Sequence, residues 1–215
     1  AQDDVIVWVV GDGQDSLIDG GTEANDLLRI LGVDGDALDV EVEPDGNGFK
    51  LAIGAMATTT NLSISKVESL NIVGRDQADN VEIRDLSGTD LRRVAIDLGD
   101  DTAKDTVVVD GLATGIDTAS IGTDSSERPV EINPADLVDE NGNLLIPTSV
   151  DENGDLVVTP PTLETEVVNS VKLSLNNNLE VSIFDAAGAS SGGDSVTLNT
   201  FGGIDTVTVT GTLLG

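Results

Sequence analysis

Apolar side chains recur at every second position in short bursts: Val81 and Ile83, Val107 and Val109, Val196 and Leu198, Val207 and Val209, with polar or small residues between several of them. A period of two is the mark of a strand that buries one face. The same reading predicts strands at 38–43, 49–53, 61–65, 69–73, 93–98 and 179–184, while VIVWVV at 5–10 has the composition of a buried strand. No stretch keeps a helical period for ten residues. The chain is therefore predicted to be all-β.

What precedes these strands also recurs. GDGQDSLID at 11–19, GGTEANDLLRI at 20–30, GRDQADNVEI at 74–83, LGDDTAKDTVVV at 98–109, SGGDSVTL at 191–198 and FGGIDTVTV at 201–209 each run from a turn-rich stretch through an aspartate into a strand. Short strands joined by such turns fit a sandwich or a solenoid. The aromatic side chains are only Trp8, Phe49, Phe184 and Phe201, too few for the gap between the sheets of a sandwich. A parallel β-helix or β-solenoid, with its thin interior of Val, Ile and Leu, is the architecture expected, and a β-sandwich the alternative.

Between 123 and 165 the texture changes. Five of the six prolines lie here, with the tandem repeat VDENGNLLIPTS and VDENGDLVVTPP at 138–161. Proline removes ladder donors, and Asn-Gly and Gly-Asp favour tight turns. The segment is expected to be a hairpin insertion or linker between solenoid blocks at 1–122 and 166–215.

Composition narrows the chemistry. The chain has no cysteine and no histidine, which excludes disulfides, thiolate or imidazole zinc sites and the usual nucleophile and base pairs. Forty acidic residues against ten basic ones give a net charge of −30. Nucleic acid would be repelled, and cations are the natural partners. No apolar stretch has membrane-spanning length and no signal peptide is present; the start on Ala1 points to a processed protein or an excised segment.

The recurring turn resembles the nonapeptide G-G-x-G-x-D-x-U-x of the repeats-in-toxin family of secreted bacterial proteins, in degenerate copies. The resemblance implies that turn carbonyls and the aspartate hold Ca²⁺ between successive coils and that U enters a buried strand. Carried over by position, Gly11 and Gly13 match glycines, Asp15 the metal aspartate and Leu17 the U residue. Asp26, Asp79, Asp105, Asp194 and Asp205 take the aspartate position of the looser copies, followed by Leu28, Val81, Val107, Val196 and Val207. Ca²⁺ takes six to eight oxygens, and glycine turns expose carbonyls at no steric cost. The alternative role for each aspartate is to hydrogen-bond its own turn. Asp15 to Asp26 and Asp194 to Asp205 each span eleven residues rather than nine.

Other motifs carry less. GDGQDS lacks the third glycine and the helix of a dinucleotide loop. DENGD at 151–155 begins as a calcium loop does, but its glycine falls one residue early, so a hairpin turn is expected. NLS at 61–63 matches a glycosylation acceptor. RDLSGTDLRRVAIDLGDD at 84–101 is the most enzyme-like cluster, yet Arg92 and Arg93 are adjacent and would point to opposite faces of a strand. Surface ion pairing is favoured there.

The function expected is a calcium-stabilised structural or adhesive module, without enzyme activity, of an extracellular or cell-surface bacterial repeat protein. Glycans or the cell surface are candidate contacts. End-to-end self-association into a filament or surface layer is one alternative, and a carbohydrate-active β-helix enzyme is another.

Overall fold

The alternating stretches form strands and, among the described residues, no helix. The computed structural model describes residues 3–11, 17–22, 25–55, 58–99, 103–112, 117–129, 148–150, 156–158, 165–176, 179–184, 194–202 and 204–210. The strands are β1 Val5–Val9, β2 Leu17–Asp19, β3 Leu27–Leu31, β4 Asp39–Asp45, β5 Gly48–Ala55, β6 Thr58–Ser65, β7 Ser69–Val73, β8 Asn80–Ile83, β9 Arg93–Asp97, β10 Thr106–Asp110, β11 Thr118–Pro129, β12 Thr148–Val150, β13 Leu156–Val158, β14 Thr165–Leu175, β15 Leu179–Phe184, β16 Ser195–Asn199 and β17 Thr206–Thr210.

Two mixed sheets hold fifteen of them. The first has eight strands in the order β1-β3-β7-β9-β15-β14-β11-β17, and the second has seven in the order β16-β10-β8-β4-β5-β6-β2. In the first, β1, β3, β7, β9 and β15 run parallel, as do β11 and β17, while β14 is antiparallel to β15. In the second, β16, β10, β8 and β4 run parallel, β5 reverses against both β4 and β6, and β6 runs parallel to β2. From β6 to β11 the chain crosses between the sheets at every step, β6 to β7, β7 to β8, β8 to β9, β9 to β10 and β10 to β11.

Register turns the period of two into rows of matched side chains. Leu28, Leu70, Val94 and Val181 stand in line across the first sheet, and Ile30, Ile72, Ile96 and Ile183 form the next line. In the second sheet Val40, Val81, Val107 and Val196 align, followed by Val42, Ile83, Val109 and Leu198. Both sets belong to one hydrophobic cluster. Like-sized branched side chains stacked at strand spacing fill a thin interior without large aromatics, which accounts for the sparse aromatic content.

The chain divides into two units: Ala1–Ser126 with Asn169–Gly215, and Glu127–Val168. The residues from 169 on are thus part of the first unit, where β15 pairs with β9 and β16 with β10. In the other unit β12 and β13 form an antiparallel pair with Thr148 opposite Val158; the DENGD turn between them lies outside the described residues.

Two burial expectations are corrected. The VIVWVV stretch is an edge strand, paired with β3 alone among the described residues, and Val5 and Val7 are half exposed. Composition reports how apolar a strand is and is silent on whether a neighbour covers it. Leu17 is likewise 67% exposed, because in β2 it is Ile18, beside the buried Ile64, that faces the core, while Leu17 lies beside Ser63 on the other face.

Candidate functional site

Each recurrent aspartate stands immediately before a strand: Asp26 before β3, Asp79 before β8, Asp105 before β10, Asp194 before β16 and Asp205 before β17. Parallel pairing therefore places them side by side. In the second sheet the Leu38 N–H donates to Asp79 Oδ1 at 2.8 Å, the Asp79 N–H to Asp105 Oδ1 at 2.8 Å, and the Asp105 N–H to Asp194 Oδ1 at 3.1 Å. In the first sheet the Asp4 N–H donates to Asp26 Oδ1 at 2.7 Å and the Asp26 N–H to Glu68 Oε2 at 3.0 Å. Further along that sheet the Asp117 N–H donates to Asp205 Oδ1 at 3.0 Å. Every step has one direction. The carboxylate of one strand start receives the backbone N–H of the strand start before it.

The glycines complete the unit. Gly20, Gly74 and Gly111 end β2, β7 and β10, and each still donates its N–H to a neighbouring strand, to Ser65, Asp97 and Asn199 respectively. Five or six residues later come Asp26, Asp79 and Asp117, whose carboxyl groups fold back onto those glycines. A Cβ on Gly74 or Gly111 would collide with the carboxylate, and one on Gly20 would stand 2.9 Å from Asp26 Oδ2. Asp79 Oδ2 and Asp117 Oδ1 also accept the N–H of the residue after the glycine, Arg75 at 3.1 Å and Leu112 at 2.9 Å. The Asp79 side chain thus closes its own turn and caps the neighbouring strand.

These carboxylates are removed from water. Asp26 and Asp117 are fully buried, and Asp79 and Asp105 are 2% exposed. Neighbouring strands lie about 4.8 Å apart, a separation at which like charges repel strongly away from bulk solvent. The N–H groups offset this by charge-assisted hydrogen bonds. Asp26 Oδ2 and Asp117 Oδ2 remain buried with no hydrogen-bond partner among the described residues.

Of the expected metal residues, Gly11 has φ +99°, a left-handed conformation that suits glycine. Gly13 and Asp15 lie outside the described residues. Among the described residues no three acidic side chains converge on a position that could hold a metal ion. The ladder by itself is therefore no calcium cage; the orphaned oxygens of Asp26 and Asp117 are the acceptors it leaves buried among the described residues. Asp117 and Glu68 belong to the rows as much as the aspartates recognised from the repeat.

Five of the cations pair with acids: Lys50, Lys66, Arg75, Arg84 and Lys172. Arg84 reaches Glu41 at 2.7 Å, Glu82 at 2.6 Å and the nearly buried Asp110 at 3.2 Å. The hydrogen bond to Glu41, before any other cause, raises its affinity for its proton. Asp19 is held below the ordinary carboxyl value first by the Gly21 N–H and then by Lys66. Replacing Arg84 by alanine leaves the Asp110 carboxylate the hydrogen bond from the Asn199 side-chain amide and is expected to cost about 1–2 kcal/mol at low salt, and less at high salt. Urea unfolding at two ionic strengths checks this.

Of the 84–101 cluster, residues 85–92 line a cleft of about 340 Å³ together with Asn47, Asp110, Leu175 and Asn176. Arg92 is on its wall, but its guanidinium donates to the carbonyls of Thr89 and Leu91 in its own loop. Arg93 opens β9 and is exposed. The two arginines do not converge, as their adjacency implied.

Compared with known proteins, the chain matches no family model, no curated protein and no solved structure.

Proposed function

We propose that this chain is a calcium-stabilised structural or adhesive module of the cell surface or extracellular space, wound as a β-solenoid. The crossing of the chain between two largely parallel sheets and the matched rows of Val, Ile and Leu support the winding. The observation that carries the proposal is the set of buried carboxylates at strand spacing in a chain of net charge −30. Such a stack is held by backbone N–H groups but strained by its own charge, and cations relieve that strain.

Calcium would be taken by carboxylates and turn carbonyls, with Asp26 and Asp117 supplying the free buried oxygens and the 11–15 turn the best match to the repeat. An ion that binds the folded chain alone stabilises it by about 2.7 kcal/mol at a hundredfold excess over its Kd. Where calcium is scarce the chain stays loose, and where it is abundant the stack closes.

The test is thermal unfolding followed by circular dichroism in chelator, in calcium, and in sodium chloride of matched ionic strength. The expected outcome is a cooperative β transition that calcium shifts upward well beyond the salt control. An identical transition in chelator and calcium overturns the proposal.

A further inference from the structure

We infer that the two ends of the strand stack dock on each other, so that copies of this chain assemble head to tail with β1 of one copy added beside β17 of the next. The inference rests on the stacked winding proposed above and is independent of how tightly calcium binds.

The first observation is where apolar surface is left uncovered. The strongly exposed large apolar side chains among the described residues are Val5, Val7, Leu17, Phe201, Ile204 and Val207. Val5 and Val7 lie on β1 and Leu17 on β2, the two edges at the start of the chain; Val207 lies on the opposite edge strand β17, and Phe201 and Ile204 lie in the turn leading into it. None lies in an interior strand. Exposed sheet edges invite pairing with another chain unless charge or proline blocks them, and apolar side chains do the opposite of blocking.

The second observation is the polarity of the aspartate rows. Each strand start donates its N–H to the carboxylate of the next, Asp4 to Asp26 at one end and Asp117 to Asp205 at the other. The ends of the first sheet are therefore unlike and complementary. Asp4 presents an exposed carboxylate that accepts no N–H among the described residues, and Asp205 presents the N–H that the next carboxylate would receive.

Register makes the match specific. Asp4 stands opposite Asp26 through the 2.7 Å hydrogen bond, and Val5, Ile6 and Val7 pair with Leu27, Leu28 and Arg29. At the far end Thr206, Val207 and Thr208 pair in parallel with Thr118, Ala119 and Ser120. Aligning Asp205 with Asp4 of a second copy places Thr206 beside Val5, Val207 beside Ile6 and Thr208 beside Val7. Val207 continues the inward row of the buried Ala119, and Ile6 that of the buried Leu28. A second copy supplies the parallel strand, the inward apolar row and the missing carboxylate together. Unlike ends that do not close into a ring propagate into a filament. The charge of −30 on each copy opposes contact, so association should strengthen with salt or divalent cations.

Absence of cysteine gives a direct test. Val7→Cys and Thr208→Cys proteins are mixed at millimolar concentration in calcium or in high sodium chloride, oxidised gently, and compared with each variant alone. The expected result is a mixed disulfide far exceeding either homodisulfide. Sedimentation of the parent should show species that grow with concentration, and Val207→Lys should abolish them while leaving the melting transition unchanged. Monomer at every concentration and salt, predominance of a Val7→Cys homodisulfide, or undiminished association of Val207→Lys would each overturn the inference. Cross-linking in sodium chloride by a protein whose melting ignores calcium would keep this inference and sink the calcium reading alone.

Discussion

Replacing Asp79 with alanine is expected to destabilise the fold by about 3–5 kcal/mol, the sum of leaving two backbone donors without an acceptor. Those donors are the N–H groups of Leu38 and Arg75, one on the neighbouring strand and one in the turn, and Leu38 is 2% exposed. In a chain of this size the melting temperature should fall by about 10 °C. Asp194→Ala, at the edge of the same row and receiving the Asp105 N–H, should lose only about 1–2 kcal/mol. Asp79→Asn should fall between them, because the amide keeps one acceptor oxygen, turns an NH₂ toward the second donor and removes a charge from the row. Urea midpoints of the three variants measure the order. Equal, small losses for Asp79→Ala and Asp194→Ala would mean that the row contributes little.

Gly74→Ala should cost at least about 3 kcal/mol, since the added methyl needs space that nothing nearby can cede cheaply. It would strike Asp79 Oδ2, come within 3.0 Å of the Asp79 carboxyl carbon and lie 3.2 Å from the carbonyl of Asp97. Gly35→Ala is the contrast. There the methyl meets nothing within 4 Å, and the cost is that of φ +85°, about 1 kcal/mol. Because the principal clash at Gly74 is with the Asp79 carboxylate, Gly74→Ala should cost markedly less in an Asp79→Ala background. Chemical denaturation of the double-mutant cycle reads this coupling directly. Additive losses would show that the glycine and the aspartate do not form one unit.

The strands were legible because period two survives wherever one face is buried. The 69–73 and 179–184 stretches coincide with β7 and β15, and the residues two after the aspartate, Leu28, Val81 and Val107, are buried as the repeat implies. Leu17 and Val207 follow the same local rule yet are exposed, Leu17 because its neighbour Ile18 is the residue turned to the core and Val207 because it lies on an edge strand; local pattern encodes neither which face is covered nor position in a sheet. The reversal of β5 between β4 and β6 was equally hidden, since alternation is the same in parallel and antiparallel strands. Asp117 carried a readable signal, a glycine six residues earlier at Gly111 and an alternating strand after it, but not the glycine pair that marks Gly20 and Gly21. Glu68 had none. It replaces the aspartate at a strand start with no glycine turn before it, and only the register of β3 with β7 brings it to the Asp26 N–H.

The role of the aspartates is the point on which the account stands. Its most direct measurement is amide hydrogen exchange of Leu38, Asp79 and Asp105 by NMR, compared with Val81 and Val107 in the adjoining strands, in the parent and in Asp79→Ala. The account predicts that the three amides are protected as strongly as the strand amides, although they precede the strands, and that Asp79→Ala strips protection from Leu38 while Asp79's own replacement amide keeps its bond to Asp105. Fast exchange of all three in the folded parent, at the pace of exposed turns, would contradict it.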